Sequence, residues 1–167
     1  MSVRVLVASV VAPLCLVVAA PALGRTSAVS PCSSGNIATT AAYRMALDIG
    51  KQEEMYLPSE VKARHIKTGE IMLGGEMSMV GKPPAGSRIY HLEVHICNKA
   101  GAVVQKLKPD IVVEGVMLPS ATMVGVGESM ADYHYGNDII LKPGSRLVVR
   151  VTVNGQVAVF HATVPKI

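Results

Sequence analysis

The sequence predicts an all-β protein, an antiparallel β-sandwich. Short segments rich in β-branched residues recur between turns that contain Gly, Pro or Asn. No stretch keeps a convincing helical period. Near the C-terminus, residues 146–153 and 156–164 flank Asn154-Gly155, the pair best suited to a two-residue hairpin with positive φ at both positions. Strands this short, with no internal repeat, fit two packed antiparallel sheets.

Taken in order, residues 43–49 read as a first strand. Residues 61–66 and 70–73 read as strands on either side of a Lys67-Thr68-Gly69 turn, and residues 76–80 continue in extended form. Gly81-Lys82-Pro83-Pro84-Ala85-Gly86 breaks the chain. Residues 88–97 form the longest alternating strand, followed by a turn at 98–101, a strand over 102–107 and another over 111–114, closed by Gly115. Residues 117–137, rich in Gly and Met, read as a long loop of the kind that often carries function. In the hairpin, a two-residue turn sets Val149 opposite Phe160 and Val151 opposite Ala158 on the core side, and His161 opposite Val148 on the other.

Ahead of the sandwich the chain changes character. Arg4 and the apolar run 5–20, followed by small-x-small sites at 20–24, read as a secretory signal peptide over residues 1–24. The run is short for a bilayer span. Residues 25–40, rich in Ser, Thr, Gly and Ala, read as a flexible lead-in, and 41–167 as the sandwich domain. Signal cleavage leaves Cys32 and Cys97, which in an oxidising compartment most simply form one disulfide. The competing readings are a lipid anchor on Cys32, for which Ser30-Pro31 is a poor lipobox, and a metal-ligand role for Cys97.

The charge balance is 16 Lys and Arg against 12 Asp and Glu, and the basic residues are scattered. With one Phe and no Trp, nothing supports nucleic-acid binding. There is no Ser-His-Asp ordering, no G-x-S-x-G elbow and no phosphate loop, so no enzyme is expected.

The chemistry concentrates in His91-Leu92-Glu93-Val94-His95. Side chains alternate across a strand, so Tyr90, Leu92, Val94 and Ile96 share one face while His91, Glu93, His95 and Cys97 share the other. One face suits a core. The opposite face carries imidazoles and a carboxylate, which ligate first-row transition metals. Met72, Met77, Met79, Met123 and Met130 add soft thioethers, as ligands or as core filler. A set mixing His, Glu and Met points to copper or iron rather than zinc. On a blander reading, the histidines are solvated strand residues and Tyr135-Gly136-Asn137 is a turn.

His91-Leu92-Glu93, followed by Met123 and then by His134-Tyr135-Gly136-Asn137, resembles the periplasmic iron-transport proteins, small Fe²⁺/Cu²⁺-binding partners of an iron permease. The resemblance covers about residues 70–153. It implies an immunoglobulin-like sandwich, a homodimer, and a site of His91, Glu93, Met123 and His134 for Cu²⁺ or Fe²⁺. His95, Met130 and Met79 are secondary candidates, and Met130 competes with Met123 because the interval to His134 is longer than the family's. The family's late His-rich segment has no counterpart, which marks a diverged member.

The resulting expectation is a secreted or periplasmic metal-binding protein that captures copper or ferrous iron, or delivers it to a membrane metal permease. The alternative is an immunoglobulin-like module of the cell envelope that holds no metal and docks a protein partner by strand addition.

Overall fold

The computed structural model describes residues 29–167, so the predicted signal peptide lies outside the described residues. The fold is an all-β sandwich of two sheets, antiparallel apart from one edge pair. The strands are β1 (Asn36–Thr39), β2 (Tyr43–Lys51), β3 (Met55–Tyr56), β4 (Glu70–Gly75), β5 (Arg88–Asn98), β6 (Asp110–Val113), β7 (Val116–Leu118), β8 (Ala121–Gly125), β9 (His134–Leu141), β10 (Arg146–Val153) and β11 (Gln156–Thr163). The larger sheet has seven strands in the order β1-β2-β5-β9-β8-β4-β3, and the smaller has four in the order β11-β10-β6-β7.

The alternation in β5 decides which face packs inward. Tyr90, Leu92, Val94 and Ile96 are fully buried against Ile111, Val149, Val151 and Phe160 of the smaller sheet. A fully buried side chain of this size contributes about 1.5–3 kcal/mol, so a one-residue slip of β5 would cost several such terms at once. The C-terminal hairpin has the predicted register, Val149 opposite Phe160 and Val151 opposite Ala158. Asn154 and Gly155 both have positive φ, 49° and 72°.

Four segments differ from expectation. Residues 61–66 do not form a strand; Pro58–Arg64 is a short helix, α1. Pro58 sits in its first turn, and the Glu60 carboxylate accepts from the Leu57 N–H, a helix-start signal that outweighs the alternation after it. Residues 76–80 carry no strand pairing. They are pinned instead by Asn137, whose amide donates to the Glu76 carbonyl and accepts from the Ser78 N–H. Residues 102–107 make one bridge, Val103 to Cys97, and hang on the Tyr135 hydroxyl, which donates to the Val104 carbonyl and accepts from the Leu107 N–H. Residues 117–137 are not a loop. They hold most of β7, all of β8, a 3-10 turn at Met130–Asp132 and the start of β9.

The lead-in also gains structure. Asn36–Thr39 pairs with β2 as β1, and Cys32 is joined to Cys97 by a disulfide. That excludes the lipid-anchor reading of Cys32 and the ligand reading of Cys97 for this state of the chain.

The topology shapes the larger sheet. β2 and β3 lie five places apart, about 24 Å in a flat sheet. Yet only residues 52–54 connect them, and Lys51 to Met55 can span at most about 15 Å. The sheet must therefore curl, and residues 52–54 cross its outer face as a strap. Gly69 makes room for that strap: a Cβ there would stand 2.5 Å from the Glu54 carbonyl oxygen, and its φ is +98°.

Candidate metal centre

The outer, concave face of the curled sheet collects the polar residues of four neighbouring strands. β5 contributes His91, Glu93 and His95. β9 pairs with β5 so that Asp138 stands opposite His91 and Gly136 opposite Glu93. Alternation along β9 then puts His134 on the same face. β8 pairs Met123 with His134, and β4 pairs Met72 with Met123. Glu70 opens β4 on that face.

Gly136 lets the β9 backbone approach β5 closely. It lies between His134 and Asp138, and a Cβ there would stand 1.8 Å from the Leu92 carbonyl oxygen. On the shared face, the imidazoles of His91 and His134 stand 5.8 Å apart between ring centroids, and those of His95 and His134 5.4 Å.

Two overlapping triads result. Glu70, His91 and His134 each offer one ligand atom, all within 4.8 Å of one another, and so do Glu93, His95 and His134. His134 Nε2 stands 3.5 Å from Glu70 Oε2, and His95 Nε2 stands 3.7 Å from Glu93 Oε2. His91 and His134 are fully buried, and Glu70 nearly so.

The hydrogen bonds fix how the imidazoles face. His134 Nδ1 lies 2.8 Å from the Asp132 carbonyl oxygen and His95 Nδ1 lies 3.3 Å from that of Tyr133. A carbonyl oxygen only accepts, so both Nδ1 atoms carry the proton. His91 Nδ1 donates to Asp138 Oδ1 over 3.0 Å. In the neutral form all three rings therefore turn a bare Nε2 lone pair toward the cluster, with the carboxylate or carbonyl support typical of metal-binding histidines.

The middle of the cluster lacks protein partners. Glu70 Oε2, His91 Nε2 and His134 Nε2 are buried with no hydrogen bond among the described residues. Native interiors satisfy nearly all such groups, and three orphans aimed at one another are what a bound cation would satisfy.

Electrostatics follow from this crowding. Burial pushes the Glu70 carboxyl up to about 7, aided by the charge of Glu93. Burial opposes charge on His91, but the Asp138 hydrogen bond and the charges of Glu93, Asp138 and Glu70 prevail and raise its pKa. His95 is likewise raised, since Glu93 outweighs burial. Burial also works to raise Glu93, yet the His95 hydrogen bond and the nearby His134, His91 and His95 hold it below the usual range. For His134 burial wins and lowers the pKa. Glu53, on the strap, is raised by burial and feels the charges of His91, Glu93 and Asp138; it lines a cleft that Asp138 also lines.

Of the sequence candidates, the structure brings together His91, Glu93, His134 and His95. Met123 is fully buried directly opposite His134 on the same face; such partners keep their Cβ atoms about 5 Å apart, within reach of a thioether. Met130 and Met79 are not in the cluster. Met130 is 45% exposed and lines a separate cleft with Leu73, Tyr133 and Tyr135; Met79 is 92% exposed. Sequence reasoning missed Glu70, Asp138 and Glu53. Asp138 had a visible signal, because His134-x-Gly136-x-Asp138 alternates as His91-x-Glu93-x-His95 does. Glu70 had none, because β4 lies three places from β5 in the sheet and only the curl of the sheet brings the two together.

Compared with known proteins, the chain matches no protein family, no curated protein and no solved structure. The resemblance to periplasmic iron-transport proteins rests on the two short motifs alone.

Proposed function

We propose that the protein is a secreted or periplasmic carrier of a divalent transition metal, Cu²⁺ or Fe²⁺, which it captures or delivers to a membrane transporter. The observation that carries this reading is the set of buried, unpartnered Glu70 Oε2, His91 Nε2 and His134 Nε2 atoms. Two imidazoles and a carboxylate form a common first-row-metal donor set, the His95–Glu93 pair offers a second, and Met123 adds a thioether that favours copper. A divalent cation here would also offset the negative charge of Glu70 and Glu93, which burial makes expensive.

The donors suit reversible binding. The strap bearing Glu53 is three residues long and half-exposed or exposed, so a partner that displaced it could take the ion by ligand exchange. The signal peptide expected from the sequence, together with the disulfide, supports a compartment outside the reducing cytosol.

The test is isothermal titration of the mature chain with Cu²⁺ and, without oxygen, with Fe²⁺, for the wild type and a His91→Ala/His134→Ala variant. One equivalent bound by the wild type and none by the variant is expected. Equal, negligible heats from both would overturn the reading and favour the docking module.

A further inference from the structure

The structure carries a second group of soft donors that the buried cluster does not use. A cleft of about 370 Å³ lies where the strap faces residues 77–80, and its lining includes Glu53, Met55, Met77, Met79 and Asp138. Asp138 is the buried member of that lining, 3% exposed, and it accepts the His91 Nδ1 proton. The cleft thus ends one hydrogen bond from the buried imidazoles.

Core packing does not account for these methionines. Met79 is 92% exposed and Met77 40%, so neither fills an interior gap, the ordinary use of Met. The backbone that bears them is nonetheless held in place. The Ser78 N–H donates to Asn137 Oδ1 over 2.8 Å, and Asn137 Nδ2 donates to the Glu76 carbonyl over 2.7 Å. Met77 and Met79 therefore flank a held Ser78 in the chain, and Met55 of β3 lines the same cleft.

We propose that Met55, Met77 and Met79 form a binding site for a soft monovalent cation, Cu⁺ or Ag⁺, at the mouth of the cluster. Thioethers prefer such ions to the harder divalent metals; Arg64 shares the lining, but its guanidinium is paired with Glu60 and stacked over Tyr56, so the Glu53 carboxyl is left to supply the negative charge that a cation needs. The site binds on its own; that it lies on a route to the buried donors rests on the function proposed above.

The test uses the mature protein with ¹³C-labelled methionine methyl groups and Ag⁺, which is redox-inert here. One equivalent of Ag⁺ should shift the methyl signals of Met55, Met77 and Met79 and leave that of the core residue Met45 in place. A Met77→Leu/Met79→Leu variant, altered only at exposed positions, should bind Ag⁺ about tenfold more weakly or worse and keep its Cu²⁺ titration. The shifts should persist in the His91→Ala/His134→Ala variant, even if that variant shows the buried cluster to bind no metal. Shifts confined to Met72 and Met123, shifts lost with the two histidines, or an Ag⁺ affinity unchanged by the leucine pair would each overturn the proposal.

Discussion

The Nδ1–H of His91 donates to the Asp138 carboxylate across the β5–β9 ladder, 3.0 Å away and almost wholly out of water. The bond fixes the tautomer, and so sends the Nε2 lone pair toward His134 and Glu70. Asp138 touches none of the orphaned atoms itself. It acts through His91 by orienting the ring and raising its basicity.

Replacing Asp138 with Asn tests that role. Asn keeps a carbonyl oxygen that can accept the Nδ1 proton, so the fold should survive, but the charge is gone. Metal affinity should fall by about 10–100-fold. The His91 pKa should fall as well, since the Asp138 hydrogen bond and charge help raise it. Calorimetry with NMR titration of His91 reads both effects, and an unchanged affinity with a lowered pKa would show that Asp138 has no part in binding.

Glu70 should make the metal-free protein less stable in alkali than in mild acid. Its folded pKa of about 7 exceeds the ordinary carboxylate value, so the folded chain holds that proton more tightly than the unfolded one. Above pH 7 the ionised, buried group destabilises the fold by about 3 kcal/mol, and the cost disappears as pH falls toward 4.5. The raised pKa values of His91 and His95 act in the same direction; their stabilisation is complete below the ordinary His value and fades as pH rises through the folded value. The lowered His134 opposes them, because acid charges it more readily in the unfolded chain. Glu70→Gln should therefore raise the metal-free melting temperature by several degrees at pH 8 and hardly at all near pH 5, while abolishing any metal-induced gain. An equal shift at both pH values would contradict this account of the charge.

Metal loading should show the reverse pH dependence. Binding needs Glu70 ionised and the imidazoles neutral, so the ion must displace protons from Glu70, His91 and His95. The rise in melting temperature on adding Cu²⁺ should be largest near pH 8 and shrink steadily toward pH 5.5. A gain independent of pH would place the metal on other groups.

The legible parts of this fold were those encoded locally. Alternation in residues 90–97 marked both the core face and the His91/Glu93/His95 face, and Asn154-Gly155 set the hairpin register. The missed elements turned on competing local signals. Pro58 and Glu60 started a helix where residues 61–66 alternate, and the glycines at 125 and 127 hid the strand that brings Met123 beside His134. The site was legible to the same degree. His91, Glu93 and His134 carried motifs, whereas Glu70 joins them only because a three-residue strap curls the sheet.

Replacing Met123 with Leu should separate packing from ligation. The side chain is fully buried opposite His134, and Leu nearly conserves its volume, so stability should change by less than about 1.5 kcal/mol. A thioether bound to the metal would be lost outright. Copper affinity should then fall while Zn²⁺ affinity, which draws on the imidazoles and carboxylates, holds nearly constant. Parallel losses for both metals would identify Met123 as packing alone.

The disulfide should matter for the site as well as for stability. Cys97 follows His95 by two residues on the face that holds the cluster, and its bridge to Cys32 closes a sequence separation of 65. A loop of that length predicts a stabilisation of about 4 kcal/mol from restriction of the unfolded chain. Part of the effect should reach the metal donors, because the bridge holds the N-terminal arm against the end of β5, beside His95, with Ser30 Oγ 3.6 Å from Cys97 Sγ. A Cys32→Ser/Cys97→Ser variant should unfold at lower denaturant. It should also lose more Cu²⁺ affinity than a Cys32→Ala/Cys97→Val variant, which refills the apolar space at the same chain entropy. A Cu²⁺ affinity equal to that of the wild type in both variants would confine the bridge to global stability, and a midpoint unchanged from wild type would show that the bridge does not restrict the unfolded chain as its length predicts.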